Sequence, residues 1–325
     1  MTKVEINGNF HVLKKKGLSP FEMQKYGEYR RKWEEYPMQR IVDRFPIHLD
    51  IEATSACNLK CPFCITTHAN FKNGLMQYGI FKTIIDEGSE KGLYSLKLNW
   101  RGEPLIHPKL PEMIAYAKGK GIVDVFMNTN AALLTEEKSR KLIDAGIDRI
   151  IISFEGYEKE LYESQRVGAV FEKTVENIRR FMAVRKELKK SFPWVRIQTV
   201  MLEELKAKRE EYAGFWGEFV DEVAYVDLKN EVNRIAVGES DWVCPQLWQR
   251  LTISWDGRIM PCVNDTFCNM CLGKIPEMNI ERAWKSEKLE KMRGLHAEGL
   301  AHTIESCLDC PLRSAQIRKS DVVGA

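Results

Sequence analysis

Apolar and polar residues alternate along two stretches of the chain in the pattern of β-strands. Residues 47–51 and 94–100 place an apolar side chain at every second position, which is the strand period. Further apolar runs of strand length follow in the same part of the chain, at 122–127, 150–154, 195–202 and 223–226. The pattern therefore predicts six strands.

Segments with the pattern of helices lie between these strands. They fall near residues 77–90, 109–119, 136–145, 171–188 and 204–218. The third is the best marked, because Thr135 can cap its start and Gly146 can stop it. Strands and helices that alternate at this spacing predict an α/β fold with a parallel sheet and right-handed crossovers. Six strands favour an open, partial (β/α)6 barrel over a closed barrel of eight.

The two ends of the chain follow other patterns. In residues 1–45, aromatic side chains recur near helical spacing from Phe21 to Trp33, which predicts an N-terminal helical extension. Near residue 231 the alternation stops, cysteines become frequent, and an Asp-Gly pair predicts a hairpin of two short strands. We therefore expect three parts, namely residues 1–45, a core at 46–230 and a smaller cysteine-rich domain at 231–325.

The composition is that of an ordinary globular protein of 325 residues, with 44% hydrophobic and 29% charged residues. The formal charge of +3, from 49 basic and 46 acidic residues, is too balanced to favour nucleic acid as the main ligand. No stretch approaches the roughly 20 continuous apolar residues that span a membrane, and residues 1–16 lack the apolar run of a secretory signal. We therefore expect a cytoplasmic protein whose nine cysteines stay reduced, which favours metal ligation over disulfides.

The first cysteine group is Cys57, Cys61 and Cys64, in the loop at the carboxyl end of the first predicted strand. Ligands bind at this edge of parallel sheets. Three thiolates can hold three irons of a cubane cluster and leave one iron open for an outside ligand, whereas an electron carrier normally supplies all four ligands. A structural zinc site also generally needs four, so the spacing favours a cluster over zinc or incidental buried thiols.

This group, with Phe63 directly before its last cysteine, resembles the radical S-adenosylmethionine (SAM) superfamily. The resemblance implies a [4Fe–4S] cluster whose open iron is chelated by SAM. It also implies reductive cleavage of SAM to a 5′-deoxyadenosyl radical that abstracts a hydrogen atom from the substrate. Phe63 would then lie near the adenine, although packing within the loop is an equally good reading.

Polar residues follow the next strands at the same edge. Gly102 and Glu103 match the family's Gly-Gly-Glu-like motif except that Arg101 replaces the first glycine. The resemblance implies that this motif binds the methionine ammonium; a turn with an exposed carboxylate is the plainer alternative. It also implies contacts of polar residues after the third and fourth strands with the methionine carboxylate and the ribose, and the candidates are Asn130, Ser153 and Arg166. Capping by Asn130 and Ser153 is the alternative there.

The second cysteine group can form a site with four thiolates, because two single cysteines flank the predicted hairpin and a close pair follows later. Its members are Cys244, Cys262, Cys307 and Cys310. This arrangement resembles the twitch domain, a short relative of the SPASM domain in some radical SAM enzymes, and implies one auxiliary [4Fe–4S] cluster. Cys268 and Cys271 do not fit this pattern. They could form a zinc site with Cys307 and Cys310, or one could donate a hydrogen atom as an epimerase requires.

The resemblance extends to aminocyclitol dehydrogenases with twitch domains. It implies oxidation of a small polar substrate, such as a sugar or an aminocyclitol, with the auxiliary cluster as electron acceptor and a flavodoxin- or ferredoxin-type reductant. Modification of a peptide is the nearest alternative, although residues 1–45 look too short for a leader-binding module. A noncatalytic iron–sulfur or zinc protein is the alternative from another class, and it leaves the three-cysteine loop unexplained.

Overall fold

The computed structural model describes residues 3–4, 10–16, 24–228 and 232–323. The strands are β1 Lys3–Val4, β2 Phe10–Lys15, β3 His48–Ile51, β4 Ser95–Lys97, β5 Asp124–Thr129, β6 Arg149–Ser153, β7 Trp194–Met201, β8 Glu222–Asp227, β9 Trp242–Val243, β10 Arg250–Ile253, β11 Arg258–Met260 and β12 Gly273–Lys274. The α-helices are α1 Gln24–Gln39, α2 Ile65–His68, α3 Tyr78–Lys91, α4 Leu110–Gly119, α5 Glu136–Asp144, α6 Lys159–Gln165, α7 Phe171–Glu187, α8 Glu203–Lys206, α9 Arg209–Gly217, α10 Ile280–Trp284, α11 Glu287–Ala297, α12 Glu305–Leu308 and α13 Pro311–Val323.

Strands β3 to β8 lie side by side in chain order and pair in parallel, which confirms the predicted α/β fold with an open barrel. Helix α5 begins as predicted, since Thr135 Oγ1 accepts a hydrogen bond from the Lys138 backbone N–H. The helix predicted at 204–218 is instead two helices, α8 and α9, separated by a turn at Ala207 and Lys208, where the Lys208 N–H donates to the Leu205 carbonyl at 3.1 Å.

The core strands have an apolar side that faces the helices and a mixed, partly polar inner side. In β7, Val195 and Ile197 belong to the hydrophobic core that the strands share with the helices, and both are fully buried. Arg196 and Gln198 alternate with them, point to the other side of the sheet and are half-buried. The inner side of the barrel is therefore partly polar, which is unusual for a structural core and suits a ligand.

Strands from both ends of the chain extend the core sheet. Beside β3, strand β10 pairs in parallel, with Arg250 opposite His48, and β11 and β12 continue the sheet in antiparallel fashion. At the other edge β2 pairs antiparallel with β8. The cysteine-rich segment is thus hydrogen-bonded to the core strands through β10. The sequence pattern did not predict strand β2.

Helix α1 covers the amino-terminal ends of the strands. Its Tyr29 and Trp33 are buried with Ile47 in a small apolar cluster, and Trp33 packs edge-on against His48 with ring centroids 5.6 Å apart. This helix agrees with the one predicted in residues 1–45, although Phe21 lies outside the described residues. The predicted boundary at 230/231 also lies outside them, so the division into domains stays a prediction.

Candidate functional site

One cavity of about 140 Å³ lies at the carboxyl ends of β3 to β6. It is lined by every residue that the sequence proposed for the first site, namely Cys57, Cys61, Phe63, Cys64, Gly102, Glu103, Asn130, Ser153 and Arg166. Parallel strands bring these side chains together because their carboxyl ends meet at one edge of the sheet. The structure thus brings the proposed residues to one place, while the role of each residue stays a prediction.

Gly102 packs the second strand end onto the backbone of the cysteine loop. Its φ of +70° lies in the left-handed region, and an added Cβ would stand 2.4 Å from the Thr54 carbonyl oxygen and 2.7 Å from that of Ala56. The next residue, Glu103, donates its backbone N–H to the same Ala56 oxygen at 2.8 Å. Glycine is therefore required both for the conformation and for the space.

A Gly102→Ala variant should bind SAM at least tenfold more weakly, because the methyl group must push the cysteine loop away from the second strand end. Titration of the reconstituted protein with SAM, followed by electron paramagnetic resonance, measures this. Gly79→Ala is the matched control, since a Cβ at this helical position meets nothing within 4 Å. Equal SAM affinity of Gly102→Ala and wild type would contradict the assignment.

Glu103 is buried and faces the third strand end. Its Oε1 accepts hydrogen bonds from Thr129 Oγ1 at 2.7 Å and from the Leu105 N–H at 3.1 Å, and its Oε2 accepts from the Asn130 N–H at 2.8 Å. Burial raises the pKa of this carboxyl above its ordinary value. The alternative of an exposed carboxylate is wrong. Since a carboxylate has about four acceptor positions, one remains for a cation in the cavity.

Asn130 and Ser153 occupy the ends of the next two strands. The Asn130 side chain donates to Asn58 Oδ1 at 3.0 Å, which ties it to the cysteine loop, and accepts from the Ala132 N–H at 3.0 Å. The second contact closes a local turn and is not the helix cap that the alternative expected, since Thr135 caps α5. Ser153 is half-buried at the end of β6 and lines the same cavity.

Arg166 reaches across the cavity to the cysteine loop. Two of its nitrogens bind the fully buried Glu155 carboxylate, with Nη2 at 2.8 Å from Oε1 and Nε on Oε2. Its Nη1 lies 3.6 Å from Cys61 Sγ, and the guanidinium is 5.3 Å from the Phe63 ring centre. Burial alone would lower the pKa of Arg166, but the Glu155 charge raises it. The sequence analysis did not propose Glu155 as a site residue, although an acidic residue just after the end of a strand could have indicated one.

Arg101, which replaces the glycine of the family motif, joins three parts of the chain. It forms a bidentate ion pair with the fully buried Glu52, at 2.7 and 2.9 Å, and donates to the Thr266 carbonyl at 3.2 Å. Its guanidinium lies 4.1 Å from the Trp100 ring centre and 4.8 Å from that of Phe71. Arg101 therefore connects the first strand, the cavity and the loop after Cys262.

The second cysteine group forms a separate buried cluster. The side chains of Cys244, Cys262, Cys307 and Cys310 are all 8 or 9% exposed. Burial, followed by the charges of Cys244 and Cys310, raises the pKa of the Cys262 thiol well above its usual range. The pKa of Cys307 is raised in the same way, by burial and then by the other three thiols. The four sulfurs are therefore neighbours, and this donor set fits a cluster with four protein ligands.

Cys268 and Cys271 lie elsewhere in the loop after Cys262. Burial raises the pKa of Cys268 to about 11, while the nearby Arg258 and Arg101 act in the opposite direction. Cys271 donates to the Gly273 carbonyl at 3.2 Å. The described residues do not form the alternative zinc site from two Cys-x-x-Cys pairs. Within the described residues, no three Cys, His, Asp or Glu side chains adopt the arrangement that holds a single metal ion.

Two family models match the chain. Residues 51–208 match the radical SAM superfamily, and residues 244–311 match the iron–sulfur cluster-binding SPASM domain. Together they span more than two thirds of the sequence. The chain therefore belongs to the radical SAM enzymes and carries a SPASM domain. These domains imply a [4Fe–4S] cluster with SAM and auxiliary iron–sulfur binding.

The curated relatives include the tungsten-containing aldehyde ferredoxin oxidoreductase cofactor-modifying protein of Pyrococcus furiosus. It is 25% identical over an alignment of 321 positions, and the match covers 82% of this chain and 88% of the relative. A probable GTP 3′,8-cyclase of Methanococcus maripaludis is 33% identical over 135 residues, 41% of this chain. The match spans only 45% of the cyclase, so the likeness is confined to less than half of that protein.

Solved structures with the same fold include BtrN in complex with AdoMet and 2-DOIA, with a TM-score of 0.57 and 20% identity over 83% of this chain and 94% of BtrN. Native anSMEcpe with bound AdoMet has a TM-score of 0.60 and 16% identity over 77% of this chain and 84% of its own. Streptococcus suis SuiB bound to precursor peptide SuiA has a TM-score of 0.59 and 15% identity, over 89% of this chain and 74% of SuiB. None of the helices that the structure describes has the length and hydropathy needed to cross a membrane.

Proposed function

We propose that this enzyme abstracts a hydrogen atom from a small polar substrate, of the sugar or aminocyclitol kind, and oxidises it with an auxiliary [4Fe–4S] cluster as electron acceptor. The observation that carries the proposal is the second group of four neighbouring, buried thiols, at Cys244, Cys262, Cys307 and Cys310. Four protein ligands leave no iron open for substrate, so this site suits electron transfer.

In the first cavity, Cys57, Cys61 and Cys64 would hold the other cluster and leave one iron for SAM. When bound, that cluster and SAM supply the radical that removes the hydrogen atom. The chain's contribution is to orient the cofactor and to exclude water around it. The proposed SAM contacts are Phe63 for the adenine, Gly102 and Glu103 for the ammonium, and Asn130, Ser153 and Arg166 for the carboxylate and the ribose.

The contacts of two of these residues support their proposed roles. Glu103 is fixed on one side by three donors, which leaves an acceptor position for an ammonium. Arg166 is held by Glu155 and keeps Nη1 beside Cys61, where a carboxylate near the cysteine loop would find a donor. A flavodoxin- or ferredoxin-type protein is the proposed reductant.

Peptide modification is the second candidate. The chain shares its fold with SuiB, which has been solved with a precursor peptide. Epimerisation belongs to the same group of alternatives, and the nearness of Cys268 to Arg101, which lines the cavity, favours a thiol donor near the site. An epimerase returns a hydrogen atom to its substrate and needs no acceptor cluster, so a redox-active auxiliary cluster distinguishes the first candidate from this one.

The test is a Cys307→Ser, Cys310→Ser double variant beside wild type, both reconstituted without oxygen and reduced with dithionite. Wild type is expected to show two cluster signals by electron paramagnetic resonance, of which only one changes when SAM is added. The variant should lose the SAM-insensitive signal and about half of the iron, yet still form 5′-deoxyadenosine. An auxiliary signal that shifts with SAM, or a variant with full iron content, would refute electron acceptance by a fully ligated cluster.

A further inference from the structure

The inside of the barrel below the cavity contains a group of charges that the proposed function does not use. Four basic side chains pair with three acids. The shortest contacts are Lys97–Asp50 at 2.6 Å, Arg250–Asp50 at 3.2 Å, Arg149–Asp124 at 2.5 Å and Arg196–Glu222 at 3.0 Å. His48 also borders Asp50, but burial lowers the pKa of His48 to about 4, so it is neutral near pH 7. Counted over these described side chains, the group has one more positive charge than negative.

The two kinds of charge differ in their access to solvent. The acids are hidden, with Asp50 and Asp124 fully buried and Glu222 6% exposed. Each basic partner remains 15 to 18% exposed. The acids therefore lie behind the basic groups, and the charge that a molecule inside the barrel meets is positive.

Lys97 and Arg196 are the two basic residues next to the cavity. Lys97 is paired with Phe126 on β5, and Phe126 precedes the cavity residue Asn128 by two positions on that strand. Arg196 precedes Gln198 by two positions on β7, and Gln198 is paired with the cavity residue Ser153. Residues two apart on a strand point to the same side, about 7 Å from one another. Both basic groups therefore lie one layer of side chains below the cavity.

Lys97 and Arg196 are each only partly paired with an acidic side chain. Lys97 shares Asp50 with Arg250. Arg196 binds Glu222 only through Nη2, and its Nε is buried without a hydrogen-bond partner among the described residues. A buried guanidinium donor without a partner is costly, and an anionic oxygen is the acceptor that satisfies it best. Arg250 also has a buried Nε without a hydrogen-bond partner among the described residues, and it lies 4.4 Å from the Trp33 ring centre on α1, as Arg196 lies 4.3 Å from that of Phe10. Arg196 differs from Arg250 in its place on β7, which pairs with the cavity strand β6.

We propose that Lys97 and Arg196 bind an anionic group of the substrate, a phosphate or a carboxylate, inside the barrel below the SAM cavity. The inference rests on the proposed function and narrows its substrate class. A phosphorylated or acidic sugar fits a lumen whose accessible charge is positive, whereas the ammonium of a simple aminocyclitol would be repelled.

Binding of two small probes, inorganic phosphate and malonate, to the reconstituted chain tests this. Isothermal titration is performed with saturating SAM, so that the cofactor cavity is filled. Wild type should bind phosphate, malonate or both, and the preferred probe tells a phosphate site from a carboxylate site. In Lys97→Gln and in Arg196→Gln the binding of that probe should weaken tenfold or more. Lys206→Gln, which changes an exposed lysine paired with exposed Glu203, should bind as wild type does.

Both variants should fold, since Asp50 keeps Arg250 and Glu222 keeps the Trp194 indole N–H at 3.0 Å. Iron content and SAM cleavage without substrate should stay at wild-type levels in both, because neither residue lines the SAM cavity. If wild type itself did not cleave SAM, the proposed function would be refuted, and this outcome is distinct from failure of the anionic subsite. Wild type that binds neither probe, or a Lys97→Gln variant that binds as tightly as wild type, would overturn the anionic subsite.

Discussion

A variant in which Cys57, Cys61 and Cys64 are all alanine is expected to form no 5′-deoxyadenosine and to lose about half of its iron. These three thiols line one cavity, and no sulfur of the second group lines it with them. Cluster assembly requires thiolate ligands, so removing all three should leave only the auxiliary site loaded. Wild type should hold about eight irons, and the variant about four.

Iron counting after anaerobic reconstitution, with a SAM cleavage assay on the same samples, measures this effect. A Cys268→Ala, Cys271→Ala variant is the matched control, because it removes thiols from the second half of the chain that fit neither cluster. It should keep all its iron and cleave SAM. Cleavage by the triple variant, or zinc in place of iron in wild type, would contradict the proposed cluster. Full turnover of substrate by the control would exclude either thiol as a hydrogen donor.

The local pattern of the sequence was enough to predict the core of the fold. All six core strands fall where apolar runs predicted them, because each is short and buried on the helix-facing side. The extension of the sheet by β2 and β10 could not be read in this way. The pairing of β10 with β3 joins residues about 200 positions apart, such as Arg250 and His48, and nothing in either local pattern specifies that partner. Strand β2 ends in a run of lysines, which hid its strand character.

The first site was predictable for a similar reason. Ser153 ends a strand, and Cys57, Glu103 and Asn130 follow the ends of strands closely, so topology alone brings these residues to one edge. The ion pairs that hold the site were not predictable, because they depend on which side chains face each other after folding. Arg101 was recognised only as a departure from a family motif, and its partner Glu52 was not recognised at all.

That departure has a large energetic consequence. An Arg101→Gly variant restores the glycine of the family motif, yet we expect it to be less stable than wild type by about 3–5 kcal/mol, the usual cost of breaking a buried ion pair. The reason is that Glu52 is fully buried, and its remaining hydrogen bond among the described residues comes from the Trp255 backbone N–H at 3.1 Å. A single neutral donor does not compensate a buried carboxylate.

Thermal and denaturant unfolding of the variant measures the loss, and two comparisons separate its causes. Arg140→Gly removes an exposed arginine of α5 that pairs with two exposed acids, Glu136 and Glu187. This variant should lower the free energy of unfolding by only about 1 kcal/mol. Adding Glu52→Gln to Arg101→Gly should recover part of the stability, because an uncharged amide is cheaper to bury than a lone carboxylate. If the double variant were as unstable as Arg101→Gly alone, the unpaired charge would not be the cause. The lost contacts of Arg101 with the Thr266 carbonyl and the Trp100 ring would then account for the effect, and Arg101 would act mainly by holding the auxiliary loop against the cavity.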